Sequence, residues 1–379
     1  MKTPILKAVA MPPTLFWAPM LPACINFAVQ MAILVALMGA YPGKINPSIF
    51  VLTFTIVHIG LIVWGIKEPH LSTLLPSWGQ ARSFWDKEDK VKTGLLDIKA
   101  ASDGQGIQIN GRHIRVLRLN GEGTFAAEWR KWLMTMARYP VDVQIWTQSR
   151  EELQIILSVR EKDSYRLREA IQDSLSVLQA FQPEELSMSD VTRLWEDILK
   201  QKVKFIKGNG TFVAQNSQEY TAFVSIDRWG DETDGNLIAD LLALDEKVKV
   251  AHHLQVLPSV KANALLIQQR KMAFFCTFSQ QIYNQYTAAL EAIDSRGEFP
   301  QVAVGYALSV RVSAKSPFEV DQLTEKVMTL FNRYGVQTIR EKKLAKACYI
   351  GQFPGVVQPP RRFLMLSDNV VSLLNIPRG

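Results

Sequence analysis

The chain has 379 residues, of which 47% are hydrophobic and 21% are charged, and its formal net charge is +7. The charges are unevenly spread. Residues 1–66 hold three of the 43 basic residues, Lys2, Lys7 and Lys44, and none of the 36 acidic residues. This division excludes a plain soluble enzyme, a disordered chain and a polytopic transporter. At about 150 residues per domain, the remainder is long enough for roughly two compact domains.

Two uncharged apolar segments, Leu21 to Tyr41 and Pro47 to Ile66, predict two membrane spans. About 20 apolar residues at a rise of 1.5 Å per residue cross the roughly 30 Å hydrocarbon layer. The residues between the segments include Pro-Gly and Asn-Pro pairs, which favour a turn, so we expect a helical hairpin. A cleaved signal peptide is the alternative, but it has one apolar core of about 7–15 residues, whereas this chain has two longer ones.

Basic residues precede and follow the predicted hairpin, whereas Lys44 alone lies in its turn. The flanking basic residues are Lys2, Lys7, Lys67, Arg82 and Lys87. Because basic residues concentrate on the cytoplasmic side of a membrane, we expect both termini and the large domain in the cytoplasm.

Polar residues within the spans, Asn26, Gln30 and His58, have two interpretations. They form hydrogen bonds across a helix interface, or they line a path or bind a partner. Trp78 and Trp85 follow the second span. Indole rings favour the membrane interface, and these two residues are equally compatible with a small core.

The charged stretch at 85–92 is interpreted as a linker. We therefore divide the chain into a membrane hairpin with exit segment and linker (1–92) and two subdomains (93–230 and 231–379). The expected fold class is α+β. We predict an N-terminal transmembrane helical hairpin and a cytoplasmic two-layer α+β domain with antiparallel or mixed sheets, and with helices on one sheet face.

The first subdomain begins with the strongest signals. Asn110-Gly111 between alternating residues predicts a β-hairpin over 107–119. Apolar residues at helical spacing from Phe125 to Met136 predict a helix with one buried aromatic face. The following elements are strands at 141–146 and 153–160 and helices at about 165–181 and 183–201. The last of these helices begins after Ser187 or Ser189 if its N-cap lies late.

The rest of the body alternates strands and helices. A second hairpin is predicted around Gly208-Asn-Gly210. Ser316-Pro-Phe-Glu319 is a capping box with proline in the first helical turn, so it predicts a helix start there. The predicted elements are strands at 219–228, 248–257, 302–312 and 336–340, and helices at 260–293 and 317–334.

The sequence contains no recognisable catalytic motif, and we predict no catalytic, cofactor-binding or metal-binding residue. It has no Gly-x-x-x-x-Gly-Lys-Ser/Thr phosphate loop. The adjacent pair His252-His253 lies in a predicted strand, so the two rings point to opposite faces and do not share a metal. Serine or cysteine triads assembled across a fold would escape this search.

Basic residues cluster near the end of the chain and are candidates for contact with nucleic acid, anionic headgroups or an acidic partner. The alternative is an ordinary solvated surface, which the nearly balanced charge of the body favours. We therefore do not expect this part of the chain to bind nucleic acid directly. The candidates are Arg340, Lys342, Lys343, Lys346, Arg361 and Arg362.

The first 78 residues resemble a known small subunit. A basic N-terminus and two spans are followed by Lys67-Glu-Pro-His-Leu-Ser-Thr-Leu-Leu-Pro-Ser-Trp78. This order is similar to that of the small two-span inner-membrane subunit of VirB-type type IV secretion systems. Glu68-Pro69-His70 matches the acidic-Pro-basic step of that family.

The body resembles the N-terminal domain of the CagE/TrbE/VirB family of conjugal-transfer ATPases. The resemblance rests mainly on Ala347-Cys-Tyr-Ile-Gly-Gln-Phe-Pro-Gly355 and on Arg361-Arg-Phe-Leu-Met-Leu-Ser-Asp-Asn-Val-Val-Ser-Leu-Leu374. It implies a fusion of the two subunits. The family's Walker A loop lies C-terminal to this domain, so we expect a parent protein that continues into an ATPase domain. ATP and Mg would be cofactors only if that domain follows.

The resemblance implies an inner-membrane anchor and scaffold that holds the transport ATPase of a type IV secretion or conjugation machine. The expected partners are the lipid bilayer, other inner-membrane subunits of the machine and further copies of this chain. The alternatives are the front part of the ATP-driven motor itself and a membrane-tethered nucleic-acid-binding module. The residues expected to dock other subunits are Glu68, Pro69, His70, Trp78, Trp85, Phe353, Pro354 and Gly355.

Overall fold

The computed structural model describes most of the chain. The described residues are 2–44, 46–85, 98–100, 106–121, 123, 125–147, 153–193, 203–206, 208–214, 217–277, 279–295, 300–353, 355 and 358–376.

The N-terminal region is dominated by two long apolar helices. Its helices are α1 (Lys7–Ala10), α2 (Met20–Ala40), α3 (Ser48–Lys67) and α4 (Leu71–Arg82). Both α2 and α3 are long and apolar enough to cross a membrane, and they match the two predicted spans to within one residue at each end. The two helices pack side by side. Thr53 Oγ1 of α3 donates a hydrogen bond to Gln30 Oε1 of α2 at 3.1 Å, and the ring of Phe27 meets that of Phe54 edge-on.

The body of the molecule alternates strands with helices. Its helices are α5 (Ala126–Met136), α6 (Ser164–Val177), α7 (188–193 within the described residues), α8 (Asn236–Leu244), α9 (Ser259–Thr277), α10 (Gln280–Asp294), α11 (Pro317–Arg333), α12 (Ala345–Gly351) and α13 (Ser367–Leu374). The strands, including three near the N-terminus, are β1 (Lys2–Pro4), β2 (Thr14–Leu15), β3 (Ala18–Pro19), β4 (Ile98–Ala100), β5 (Ile107–Ile109), β6 (Arg112–Leu119), β7 (Asp142–Thr147), β8 (Leu153–Arg160), β9 (Pro183–Glu185), β10 (Val203–Ile206), β11 (Thr211–Ala214), β12 (Glu219–Arg228), β13 (Glu232–Asp234), β14 (Val248–Val256), β15 (Ala303–Ala314), β16 (Gln337–Arg340) and β17 (Phe363–Leu366).

One antiparallel sheet organises the body. Its main order is β10-β11-β12-β15-β14-β7-β8-β6-β5-β4, with β16 on β12, β17 on β15 and β9 on β6. Strands β7 and β14 pair directly, although they come from opposite sides of residue 230. The predicted division at that residue therefore passes through one continuous sheet. The predicted α+β class with antiparallel pairing is confirmed.

One face of the sheet carries the main helical layer. Alternate residues of each strand, such as Ile155 and Leu157 of β8 and Val224 and Ile226 of β12, point into a core shared with α5, α6, α8, α11 and α13. Trp129 and Trp132 of α5 are buried there, which confirms the predicted aromatic face of that helix.

The opposite face is partly covered as well, which the expectation of helices on one face did not include. There α12 packs with Ala81 of α4, with Trp85 and with Phe223 of β12. Ile156 of β8 joins a separate apolar cluster that includes Val191 of α7. The sheet is therefore flanked on both sides, with smaller helices on the second face.

Several predicted elements are confirmed by their local chemistry. Asn110 and Gly111 have φ of 49° and 72°, so the β5–β6 hairpin turns where the sequence predicts. The N–H of Glu319 donates to Ser316 Oγ at 3.2 Å at the start of α11. The hairpin predicted around Gly208-Asn-Gly210 corresponds to β10 and β11, and the predicted strand 219–228 to β12.

The prediction of one long helix at 260–293 is wrong. The chain forms α9 and α10 instead, and Ser279 Oγ accepts the N–H of Ile282 as the N-cap of α10. The two helices are antiparallel, because Asn263 near the start of α9 bonds Asp294 at the end of α10 at 2.8 Å. Folding back buries the apolar stripes of both helices against each other, which one straight helix would leave exposed.

The prediction of a helix beginning at residue 183 is also wrong. Gln182 has φ of 47° and ends the preceding helical turn, and Pro183–Glu185 forms β9 beside β6. The helix α7 starts later, where Ser187 Oγ accepts the N–H of Asp190 at 3.3 Å. This agrees with the alternative of a late N-cap at Ser187. The remainder of the predicted helix, from 194, lies outside the described residues.

Candidate functional site

The N-terminal strand is attached to the body before the chain enters the first apolar helix. Strand β1 pairs antiparallel with β13, and the N–H of Ile5 donates to Asp231 O at 2.8 Å. Asn369 Nδ2 of α13 donates to Pro4 O at 2.9 Å. The front end of the apolar hairpin is thus held by backbone pairing to the large domain.

A tight β-turn lies against the second apolar helix. Strands β2 and β3 pair around Phe16 and Trp17, which have φ of 46° and 65° and expose about half of their side chains. His58 Nε2 of α3 donates to Phe16 O at 3.1 Å. Gly65 of α3 lies against the ring of Pro19, at a distance that leaves no room for a Cβ. His58 therefore forms its hydrogen bond with a turn of the chain and not across the helix interface, whereas Gln30 bonds across that interface to Thr53.

The rear end of the hairpin meets the body at Arg361. The side chain of Arg361 is 2% exposed and contacts three carboxylates. Its Nη1 and Nη2 donate to the two carboxylate oxygens of Glu68 at 2.8 and 3.0 Å, which is a bidentate pair. Nη1 also reaches Asp227 at 2.8 Å, and Nε donates to Glu341 at 2.8 Å. One guanidinium thus joins the residue after α3 to strand β12 and to the residue that follows β16.

Burial and charge shift the ionisation of this cluster in opposite directions. Burial raises the pKa of Glu341, because its carboxylate loses water, and Arg361 opposes that shift only in part. Burial by itself lowers the pKa of Arg361, but the charge of Glu341 and the contacts with Glu68 outweigh it and leave the pKa above its ordinary value. Arg361 stays charged, and it is the cation that makes the close approach of the three carboxylates tolerable.

His70 and Thr73 extend the contact of the exit segment with the body. His70 is fully buried, its Nε2 donates to Asp227 O at 2.8 Å, and its ring meets that of Phe363 at 4.8 Å. Burial lowers the pKa of His70, so the ring is neutral at neutral pH. Thr73 Oγ1 donates to Pro360 O at 2.6 Å.

Trp85 closes the exit segment by inserting into an aromatic cluster on the second face of the sheet. Its ring centroid lies 5.6 Å from that of Phe212 and 5.8 Å from that of Tyr349, and the residue is 5% exposed. Lys346 Nζ stands 5.0 Å from the centre of the indole ring. Trp85 is therefore a core residue that anchors the chain after α4.

The residues predicted to dock other subunits fall into two groups. Glu68, His70, Trp85 and Phe353 are used in contacts within the chain. Trp78, in contrast, is 51% exposed, with the guanidinium of Arg82 5.5 Å from its ring. Pro69 is partly buried, Gly355 lies against the side chain of Arg112, and Pro354 lies outside the described residues. Their docking role stays a prediction.

The six candidate basic residues do not form one exposed surface. Arg361 is enclosed by carboxylates, and Arg340 pairs with Asp321 at 2.6 Å. Lys346 lies over Trp85, and Arg362 donates to Gln255 at 2.8 Å. Lys342 and Lys343 are exposed. Contact of these residues with an outside partner stays a prediction, and it now rests mainly on the two exposed lysines.

The contacts described above attach the apolar hairpin to the body. Within the described residues, no group of three His, Cys, Asp or Glu side chains is placed to hold a metal ion. His252 and His253 point to opposite faces of β14, as predicted, and His252 Nδ1 is bonded to Tyr306 Oη at 2.8 Å. What the arrangement does is fasten both ends of an apolar hairpin to one folded body.

Sequence reasoning did not bring the three carboxylates of the Arg361 cluster together, and it missed Asp227 and Glu341 altogether. Glu341 is 20 residues from Arg361, Asp227 is 134 residues away and Glu68 is 293 residues away. No spacing pattern links groups at such separations. The available signal was the position of Arg361 at the start of an apolar strand, since a buried arginine needs carboxylate partners. No sequence pattern predicted the pairing of β1 with β13.

Comparison with protein families gives one match. A model described as the CagE, TrbE, VirB family, component of type IV transporter system, matches residues 155–362. The matched segment contains Asp227, Glu341 and Arg361, whereas Glu68 precedes it. No curated protein matches the chain.

Solved structures give low similarity. CrmK, a flavoenzyme of caerulomycin biosynthesis, has 8% identity and a TM-score of 0.27 over 59% of this chain. A variant of berberine bridge enzyme, described as a reticuline dehydrogenase, has 9% identity and a TM-score of 0.27 over the same share. The chain covers 41% of the length of each. An unknown protein from Galdieria sulphuraria has 13% identity and a TM-score of 0.17, with 61% of this chain and 98% of that chain covered. Scores of this size establish neither fold nor function.

The Arg361 cluster predicts an asymmetric response to substitution. Arg361→Gln leaves three carboxylates without their cation and is expected to lower the free energy of unfolding by about 3–5 kcal/mol. Glu341→Gln removes one buried negative charge and keeps an oxygen that accepts from Arg361 Nε, so its expected effect is within about 1 kcal/mol. Urea unfolding of the chain in detergent micelles, followed by tryptophan fluorescence, measures both.

Arg333→Gln is the matched control for that experiment, because Arg333 is an exposed arginine of the same body. Its expected effect is within about 0.5 kcal/mol. Equal free energies of unfolding for the Arg361 and Arg333 variants would contradict the structural role of the cluster.

Proposed function

The chain belongs to the CagE, TrbE, VirB family, a component of type IV transporter systems, and on that premise we propose that it is an inner-membrane anchor and scaffold of such a system. The observation that carries the proposal is the attachment of both ends of one apolar hairpin to the family domain. Strand β1 fixes the front end and the Glu68–Arg361 pair fixes the rear end.

The apolar surfaces of α2 and α3 support a position in a lipid bilayer. Few residues of the two apolar helices are buried. In α2 these are Pro22, Ala23 and Asn26, and in α3 the buried residue is His58. Large apolar side chains such as Val35 and Ile66 are 64% and 68% exposed. Exposed apolar area of this extent needs lipid or a partner to cover it.

The two attachments also support the proposed orientation. Because both hairpin ends contact the same body, both lie on the same side of any membrane that the hairpin crosses. Lys44, in the turn between the helices, then lies on the opposite side. Together with the basic residues at the hairpin ends, this favours a bacterial inner membrane with both termini and the body in the cytoplasm.

We infer that residues 1–85 act as a small membrane subunit fused to the family domain. The segment contacts the body through Trp85, His70 and Glu68, as a separate docked subunit would. Covalent linkage turns such docking into an intramolecular step with a high effective concentration. The fusion thus keeps the anchor and the body together at any protein concentration.

The scaffold role is assigned to the outer face of α4. Leu75 and Trp78 are 39% and 51% exposed, next to the end of α3. An exposed tryptophan beside an arginine is the composition typical of interface hot spots. This face is proposed to receive another inner-membrane subunit or a further copy of the chain.

ATP-driven transport is proposed only for a longer parent protein. These 379 residues contain no Walker A motif. If the chain continues into a nucleotide-binding domain, ATP and Mg would bind there, and the present residues would hold that motor at the membrane.

Site-specific labelling tests the anchor. Lys44→Cys is expected to react with a membrane-impermeant maleimide from the outer face of the inner membrane, and Lys342→Cys only after the cytoplasmic face is opened. The native chain, which has its own three cysteines, provides the background. Labelling of both variants from the same side would rule out the proposed topology.

A matched pair of tryptophan variants tests the scaffold. Trp85→Ala is expected to lower the free energy of unfolding by about 3–5 kcal/mol, because it empties a buried site. Trp78→Ala is expected to change it by less than about 0.5 kcal/mol, yet to weaken subunit binding by about 2 kcal/mol. The free energy of unfolding is measured for each variant by urea titration. Subunit binding is measured by affinity copurification of other secretion subunits with each variant. Undiminished copurification with Trp78→Ala would remove α4 as the docking face.

A further inference from the structure

A basic groove lies on the second face of the sheet, beside α4, whose Gln80 is one of its lining residues. It has a volume of about 650 Å³ and is bordered by the ends of β7, β8 and β14 and by the segment that follows α12. Among the described residues that line it, seven are lysine or arginine and two are aspartate. The proposed anchor function uses none of these side chains.

Arg362 forms the floor of the groove. Its Nη1 donates to Gln255 Oε1 at 2.8 Å, and within the described chain no carboxylate forms a hydrogen bond with its guanidinium. Gly305 lies below it, where a Cβ would stand 3.3 Å from Arg362 Cδ, so the glycine leaves space for the arginine stem. Burial lowers the pKa of Arg362, which indicates that its charge is only partly solvated. The remaining N–H groups are free to meet an anion.

Exposed cations form the rim. Arg138, Arg160, Lys162 and Lys261 come from three parts of the chain and are all exposed around the groove. In the described part of the molecule, none of the four has an ion pair. Arg112, also in the lining, is neutralised by Asp142. Like charges gathered around one concavity repel each other, and a bound anion relieves that repulsion.

The shape and composition of the groove select the class of ligand. Its volume falls in the range of small-molecule sites, about 300–1,000 Å³, and is too small for a nucleic-acid duplex. Tyr139 is the one aromatic ring other than histidine among the described lining residues, so a stacking platform for single-stranded bases is missing there. Arginine forks match phosphate oxygens.

We propose that this groove binds a compact anion with two or more phosphate groups, held by Arg362 at the floor and by the rim cations. A soluble polyphosphate and the two-phosphate headgroup of a lipid share this chemistry. The site is independent of the anchor role, since neither hairpin attachment contributes to the groove.

Calorimetric titration of the full chain in phosphatidylcholine nanodiscs with inorganic tripolyphosphate tests the site. Arg362→Gln is expected to weaken binding about tenfold or more, the loss typical of one charged hydrogen-bonding group. Arg160→Gln combined with Lys261→Gln changes two exposed residues and is expected to weaken binding comparably without affecting folding. The control is Lys342→Gln with Lys343→Gln, which removes the same number of exposed charges outside the groove and should leave the affinity within about twofold.

Adding cardiolipin, a lipid with two phosphate groups, to the nanodiscs distinguishes a lipid headgroup from a soluble polyphosphate as the natural ligand. Weaker tripolyphosphate binding in the presence of cardiolipin supports a lipid headgroup in the groove, and unchanged binding supports a soluble ligand. Absence of tripolyphosphate binding overturns the proposal. Equal losses in the groove and control variants do the same, because they indicate unspecific attraction. Tighter binding of a single-stranded oligonucleotide than of tripolyphosphate would also overturn the proposal, because it would indicate a nucleic-acid site.

Discussion

The buried guanidinium of Arg361 is the interaction on which the arrangement of the molecule depends. It is 2% exposed and bonded to Glu68, Asp227 and Glu341, which belong to three separate parts of the chain. Two of these carboxylates come from the body and one from the residue that ends the second apolar helix. Without the cation, Glu341 would be a buried, unpaired carboxylate beside two partly exposed ones, at a cost of several kcal/mol. The cluster therefore couples the position of the hairpin to the fold of the sheet.

The proposed function rests on what this coupling connects. An apolar hairpin whose two helices are long enough to cross a membrane is attached at both of its ends to a domain of a type IV transporter family. A flexible tether would hold the domain near the membrane in any orientation. Two separate attachments instead limit its orientation relative to the hairpin. That constraint is what a scaffold needs if it is to present defined surfaces, such as the exposed face of α4, to neighbouring subunits.

Local chemistry decided which features were predictable from the sequence. Asn110-Gly111 and Ser316 act through neighbouring backbone groups, so the turn and the helix start they encode were predicted correctly. The two apolar helices follow from composition alone. Gln182 and Ser279 also act locally, but their signals compete with helical periodicity, and the predictions there failed. The Arg361 cluster and the β1–β13 pairing join residues 20 to 293 positions apart, and only the folded topology brings them together.

Cleavage of the covalent connection measures the non-covalent junction most directly. A protease site placed between Trp85 and Ile98 is cut after the full chain has folded in native membranes, and the membranes are then sedimented. We expect the body to stay with the membrane fraction after complete cleavage. Glu68→Arg, which sets a second guanidinium against Arg361, is expected to reduce the retained fraction, although the β1–β13 pairing remains. Complete release of the unmodified body on cleavage would contradict the account, since the linker alone would then hold the two parts together.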